Sequence, residues 1–259
     1  MNKRCLLGYT GYVGSTLLSQ TQFDDLYNSK NIETIKGKEY DLLICAAAPA
    51  VKWKANQAPV EDLENIKKLM EAIKGVRVNK FVLISTVDIY QDPVDVDETT
   101  IIDPELTEPY GKHRFYLEQF IRENFGDNLI IRLPGLFGKG LKKNFIYDII
   151  YNNALHLTHF RSEFQFYNTA RLWNDVQVAL NHKLSLVNFA TQPVSAKEIA
   201  YQSIGLVFQN ATEKEPVRYN MKSKFAQLFN PYASEGYMSS KEEVLNEISS
   251  FILEARKHL

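Results

Sequence analysis

The chain has 259 residues, 45% of them hydrophobic and 24% charged, with 30 basic against 31 acidic side chains and a formal net charge of −1. That length suits one large domain or a core domain with a smaller interwoven lobe, because single cores stop growing near ~250–300 residues. Near-neutrality excludes a general pull toward nucleic acid or an anionic membrane surface. The longest apolar run, Leu42 to Val51, is about half of the ~20 residues that a membrane span requires. After Met1-Asn2-Lys3-Arg4 the apolar stretch lasts only from Cys5 to Leu7, so no export signal and a cytoplasmic setting are expected. Cys5 and Cys45 both fall in apolar segments, where thiols act as small hydrophobes, and no disulfide is expected.

Taken in chain order, short aliphatic runs alternate with helix-like stretches, the pattern of βαβ units and a parallel sheet. Strands are expected at Arg4–Leu7, Asp25–Tyr27, Leu42–Ala46, Phe81–Ser85 and Leu129–Arg132. Between them, apolar residues recurring at three- and four-residue spacing predict helices over Val13–Thr21, Pro59–Lys74 and Tyr110–Asn124. Leu63, Ile66, Leu69, Met70 and Ile73 form the clearest stripe and are expected to pack on the sheet. Past Arg132 the rhythm breaks into Gly, Pro and aromatic segments, with later helices at Ala196–Val207 and Lys241–Lys257. The reading is an α/β, Rossmann-type doubly wound parallel sheet over 1–135. Residues 136–259 are read as mainly a smaller substrate-binding lobe, with segments returning to the core.

The most specific local signal is Gly8-Tyr9-Thr10-Gly11-Tyr12-Val13-Gly14, between the first strand and the first helix. Gly8 permits a tight turn, Gly11 lets a pyrophosphate approach the backbone, and Gly14 lets helix and strand pack closely. Thr10, Tyr12 and Val13 complete a turn whose amides, with the helix dipole, suit an anion. An acidic residue at the end of the second strand would favour NAD; Asn28-Ser29-Lys30 stands there instead, and its donors and charge favour NADP. Ala47, in the small-residue segment Ala46-Ala47-Ala48-Pro49, is a further expected cofactor contact.

The G-x-x-G-x-x-G spacing resembles the extended branch of the short-chain dehydrogenase/reductase superfamily, the NAD-dependent epimerase/dehydratase-like proteins that modify nucleotide sugars. That resemblance implies a Tyr-x-x-x-Lys pair on one helix with Ser or Thr from the preceding strand end. Tyr110 falls on the tyrosine, and Arg114 falls where Lys is expected. Positions i and i+4 share a helical face, so Arg114 is expected to orient Tyr110 and the cofactor ribose, although Arg is forked and never deprotonated. Ser85 and Thr86 match the hydroxyls that hold the substrate oxygen. Dehydrating members carry Asp-Glu after that Thr; Val87-Asp88 stands here, which counts against dehydration while leaving Asp88 as a substrate contact. Pro134, in Arg132-Leu133-Pro134-Gly135, is expected near the cofactor, and Lys142, Asn144 and Arg171 near a nucleotide diphosphate. Tyr167 and Trp173 to Asp175 are assigned to the substrate lobe. His156 and His159 lack a zinc ligand set, so no metal is expected.

The resemblance thus implies an NAD(P)-dependent oxidoreductase or epimerase of a nucleotide sugar, with 4-ketosugar reduction favoured. Two alternatives stay open: a catalytically weakened or inactive NAD(P)-binding sensor or partner subunit, and a short-chain reductase of a non-nucleotide carbonyl compound. A homodimer through the Tyr110 helix is plausible by the same resemblance.

Overall fold

A computed structural model describes residues 3–233, 235–257 and 259. Met1 and Asn2 of the basic opening stretch lie outside the described residues. The chain forms two compact units. One is built from the chain up to Gln91 together with Thr100–Leu133 and Leu172–Val187; the other from Asp92–Thr99, Pro134–Arg171 and the chain from Asn188 on.

In chain order the elements are β1 (Arg4–Leu7), α1 (Tyr12–Gln20), β2 (Asp25–Tyr27), β3 (Glu39–Cys45), α2 (Lys52–Gln57), α3 (Pro59–Ile73), β4 (Arg77–Thr86) and β5 (Val94–Val96). Next come α4 (Pro109–Asn124), β6 (Asn128–Leu133), β7 (Gly135–Phe137), α5 (Phe145–Tyr151), β8 (Glu163–Phe164), β9 (Phe166–Asn168), α6 (Leu172–Asn181) and β10 (Leu186–Asn188). The chain closes with β11 (Val194–Ser195), α7 (Ala196–Ile204), β12 (Asn220–Met221), α8 (Ala226–Phe229) and α9 (Lys241–Arg256).

The first unit carries a six-stranded sheet in the order β10-β6-β4-β3-β1-β2. Neighbours from β2 through β6 run parallel, with Leu7 beside Tyr27 on one flank and Cys45 on the other. The chain moves outward from β1 to β2 and then returns to place β3 on the opposite side of β1. Ligands in open α/β sheets bind where the winding reverses in this way, at the carboxyl ends of the strands. Here that point lies between the ends of β1 and β3.

Hydrophobic periodicity explains what surrounds the sheet. Ile66, Leu69 and Ile73 of α3 and Leu117 and Ile121 of α4 are buried against Leu43, Phe81, Leu83 and Ile130 of the strands. Pro59 and Pro109 each open their helix, where a missing N–H costs nothing. Both strands β3 and β4 begin earlier than their apolar runs, with Glu39 and Arg77 opposite each other as an ion pair at their starts.

One assignment needs correction: Trp173 and Asp175 lie on α6, which belongs to the sheet-bearing unit. The Trp173 backbone N–H donates to Gln20 Oε1 at 2.9 Å, and the Trp173 ring meets Phe23 edge-on at 6.4 Å. In the second unit, α5, α7 and α9 bury Ile146, Ile149, Ile199, Val244 and Ile248 together. Helix α7 stops at Ile204, short of the expected Val207, because Gly205 turns left-handed at φ +67° and its N–H caps Tyr201 O at 2.8 Å. Among the described residues no helix is long and apolar enough to cross a membrane.

Candidate active site

The glycine turn sits at the winding reversal, and its three glycines have different reasons to be there. Gly8 has φ +83°, and a Cβ on it would lie 2.4 Å from Ala46 O and 2.8 Å from Ala47 Cα. A Cβ on Gly14 would lie 2.1 Å from Gly8 O. Those two positions are demanded by the packing of β1, α1 and the end of β3 against one another. At Gly11 a Cβ would meet only Gly8 O, at 3.3 Å, so the protein itself leaves that space open. Gly11 is also the N-cap of α1, makes no side-chain cap bond, and no acidic residue occupies the first turn. The first amides of α1 therefore have neither a cap nor a carboxylate to compete with an incoming anion. These residues fit a dinucleotide pyrophosphate. Thr10 is exposed, Tyr12 and Val13 half-buried beside it.

At the end of β2, Asn28 is tied to the turn: its Nδ2 donates to Tyr9 Oη at 3.1 Å and its Oδ1 accepts the Lys30 N–H at 2.9 Å. Ser29 and Lys30 are exposed. Ala47 lies against Gly8 and leads to Pro49, whose carbonyl accepts from Arg114 Nη2. A continuous path of contacts thus joins the glycine turn to the Tyr110 helix.

Tyr110 lies in the first turn of α4, 8% exposed, its backbone N–H held by Asn56 Oδ1 at 2.9 Å. The same turn requires Gly111, since a Cβ there would lie 2.0 Å from Asp88 O. Burial pushes the Tyr110 phenol up to about 12, against the opposing pull of Arg114; Asp88 raises it further, while Lys52 and a hydrogen bond from Thr86 lower it. A neighbouring cation favours the phenolate, but here desolvation outweighs it.

Around the phenol, Asp88 N–H donates to Thr86 Oγ1 at 3.1 Å, Thr86 Oγ1 contacts Asp88 Oδ2 at 3.4 Å, and Lys52 Nζ donates to Asp88 Oδ1 at 2.6 Å. Lys52 and Asn56, four residues apart on α2, thus reach the site from one helix. Read from sequence, Lys52, Trp53 and Asn56 fit a substrate-facing stretch and a surface loop equally well; the fold brings Lys52 to Asp88 and Asn56 to the Tyr110 N–H.

Ser85 departs from expectation. Successive strand residues point to opposite faces, so Ser85 cannot share the Thr86 side; its hydroxyl donates to buried Glu118 Oε1 at 2.6 Å. Glu118 also accepts from Arg132 Nε at 3.0 Å and Nη2 at 2.7 Å, and Arg132 Nη1 donates to Tyr90 Oη at 2.8 Å. Ser85 belongs to this supporting cluster.

Arg114 lies against Tyr110, and its charge is met within the protein. It is 2% exposed and its Cζ lies 4.0 Å from the Tyr110 ring centroid, a cation–π contact. Its fork is held by Asp62 of α3: Nη1 pairs with Oδ2, and Nη2 donates to Oδ1 at 2.9 Å. Nη1 also donates to Tyr110 O at 3.2 Å, which leaves Nε buried without a hydrogen-bond partner. Two charged groups 52 positions apart are brought together here, and no local pattern announces Asp62.

The remaining expected contacts belong to the second unit. Pro134 is buried and Lys142 exposed. Asn144 caps α5: its Oδ1 accepts from Ile146 N at 3.0 Å and Tyr147 N at 3.2 Å, and its Nδ2 donates to Leu136 O at 2.8 Å. Arg171 Nη1 pairs with Glu247 Oε1 at 2.6 Å, and Nη2 donates to Ser239 Oγ at 3.1 Å. The amide of Asn144 and the fork of Arg171 are therefore engaged by their own unit.

Comparison with curated protein sequences finds no match. Among solved structures, dTDP-4-dehydrorhamnose reductase from Yersinia enterocolitica shares 16% identity at a TM-score of 0.73, over 99% of this chain and 100% of that one. TunA, a novel NAD-dependent NDP-hexosamine 5,6-dehydratase involved in tunicamycin biosynthesis, shares 15% identity at 0.77, over 100% and 99%. UDP-N-acetylglucosamine 4-epimerase from Methanobrevibacter ruminantium M1 shares 13% identity at 0.74, over 100% and 99%. Structures of this fold are in complex with NAD, NADPH or NADP. The model of the NAD dependent epimerase/dehydratase family matches residues 21–169, more than half of the chain and including Thr86, Tyr110 and Arg114, and the protein belongs to that family.

Proposed function

We propose that the protein is an NAD(P)H-dependent reductase of a nucleotide-linked ketosugar. The observation that carries this is the Tyr110 phenol, buried beside Thr86 at the end of β4. A protonated phenol is a proton donor, which is what carbonyl reduction needs; oxidation of a hydroxyl needs the phenolate as base.

A bound nicotinamide supplies the hydride. The α1 amides and Gly11 bind the pyrophosphate, while Asn28, Ser29 and Lys30 meet the adenosine ribose, with Lys30 favouring a 2′-phosphate and hence NADP. Thr86 holds the substrate oxygen, Tyr110 delivers its phenolic proton to that oxygen, and Arg114 stabilises the phenolate left behind. Asp88, held by Lys52, faces the substrate side of Thr86. Reductases, dehydratases and epimerases of nucleotide sugars all appear among proteins of similar fold, which supports the substrate class.

The engagement of Arg114 by Asp62 favours a second reading, a dinucleotide-binding subunit with weakened catalysis. The test is calorimetric titration with NADPH and NADH, alone and with a panel of nucleoside diphosphates, followed by turnover of nucleotide-linked 4-ketosugars. Coenzyme and nucleotide binding with turnover at least 100-fold lower in Tyr110→Phe supports the reductase. Binding without turnover supports the second reading, and absence of coenzyme binding refutes both.

A further inference from the structure

We propose that Asp62 is a positioning residue that pins the Arg114 guanidinium over the Tyr110 ring, and that the pair as a unit does the work of the lysine found in the related motif. This rests on the reading of Tyr110 as the proton donor. Asp62 is 6% exposed and grips both Nη atoms of Arg114, while its Oδ2 also meets His113 Nδ1 at 2.7 Å. Burial raises the Asp62 carboxyl, but the hydrogen bonds from Arg114 and His113 overcome it and hold it below the ordinary value. Pro49 O and Tyr110 O take the remaining Nη hydrogens, so the planar fork has one available orientation, facing the ring at 4.0 Å.

An ammonium cannot copy this arrangement. Lysine presents one nitrogen, which would settle on Asp62 rather than span Asp62, Pro49 O and the phenol ring. Arg114→Lys alone is therefore expected to impair the site rather than repair it, and Arg114→Lys becomes useful only when Asp62 is neutralised as well.

The test uses the full chain with NADPH and a nucleotide-linked 4-ketosugar, in four variants: Asp62→Asn, Arg114→Lys, Arg114→Lys/Asp62→Asn, and the charge-free Asp62→Leu/Arg114→Met. The last replaces a buried ion pair by apolar side chains, an exchange that folds tolerate. A second readout is the 13Cζ resonance of labelled tyrosine, with the Tyr110 signal identified by its loss in Tyr110→Phe. The charge-free pair should fold, with a Tm lowered by loss of the Asp62–His113 bond, and lose at least 10-fold in kcat with KM little changed, and its Tyr110 signal should move. Arg114→Lys should fall at least 10-fold, and the double Lys/Asn variant should recover at least threefold of that loss.

An unmoved Tyr110 signal in both Asp62→Asn and the charge-free pair overturns the proposal, as does full activity in Arg114→Lys. If the parent reduces no ketosugar while the Tyr110 signal still moves in Asp62→Asn, the positioning stands and the reductase reading fails.

Discussion

Replacing Glu118 by alanine would leave the Arg132 guanidinium, 2% exposed, without its counter-charge. Burial works against the charge on Arg132, and Glu118 with Tyr90 overcomes that effect and raises its pKa above the ordinary value. Two Arg132 bonds, at 3.0 and 2.7 Å, and the Ser85 bond at 2.6 Å end on the carboxylate that would be lost. Removing one partner of a buried ion pair costs about 3–5 kcal/mol. Unfolding releases ~2.1 cal/mol/K per residue, or ~0.5 kcal/mol/K for 259 residues, so a loss of ~4 kcal/mol lowers the Tm by about 7 °C. Differential scanning calorimetry of Glu118→Ala, with urea melts at 25 °C, measures this. The double variant Glu118→Leu/Arg132→Met should regain most of the loss, because apolar side chains need no counter-charge. A Glu118→Ala cost below ~1 kcal/mol, or a double variant less stable than the single one, would refute the reasoning and imply that water reaches Arg132.

The glycines of the turn should separate fold from binding. Gly14→Ala, whose Cβ would sit 2.1 Å from Gly8 O, should fail to fold normally by circular dichroism, whereas Gly11→Ala should fold and bind NADPH at least 10-fold more weakly by calorimetry. Lys30→Ala should weaken NADPH by about 10-fold, ~1.4 kcal/mol, relative to NADH; an unchanged ratio would remove Lys30 from coenzyme selection. Stability should fall as pH rises from about 9 to 12. Burial is the first cause that lifts Cys5 from 9.0 to about 12, Cys45 from 9.0 to about 11 and Tyr110 from 10.0 to about 12. Above pH 9 the unfolded chain therefore binds fewer protons than the folded one, and the stabilisation present below pH 9 is lost as pH rises through the folded values. Urea melts at pH 8, 9, 10 and 11 check the sign, and a flat profile would mean that these groups are not desolvated.

Much of the sheet-bearing unit was legible in residue order. The first two strands have the bounds that their aliphatic runs predict, and α1, α3 and α4 begin and end within a residue of their periodic patterns. Local rules suffice there, because hydrophobic spacing, Pro at a helix start and Gly in a turn act over a few residues. The same rules picked out Gly8, Gly11 and Gly14, and they set Tyr110 and Arg114 one turn apart on a helix.

Contacts between distant segments decided the rest. Arg114 reads as a cation free to meet a ribose until α3 brings Asp62 to it. Ser85 and Thr86 read as a hydroxyl pair until the pleat sends Ser85 to Glu118 on the other face. Asn144 and Arg171 read as polar ligand contacts until α5 and α9 supply their partners. Residue order by itself determined five of the six strands of the sheet, the helices α1, α3 and α4 and the anion-ready turn, since those follow from local periodicity and backbone freedom. Which charged side chains remain available for chemistry was settled only by tertiary structure, because a buried charge must find its counter-charge wherever the fold brings one within reach.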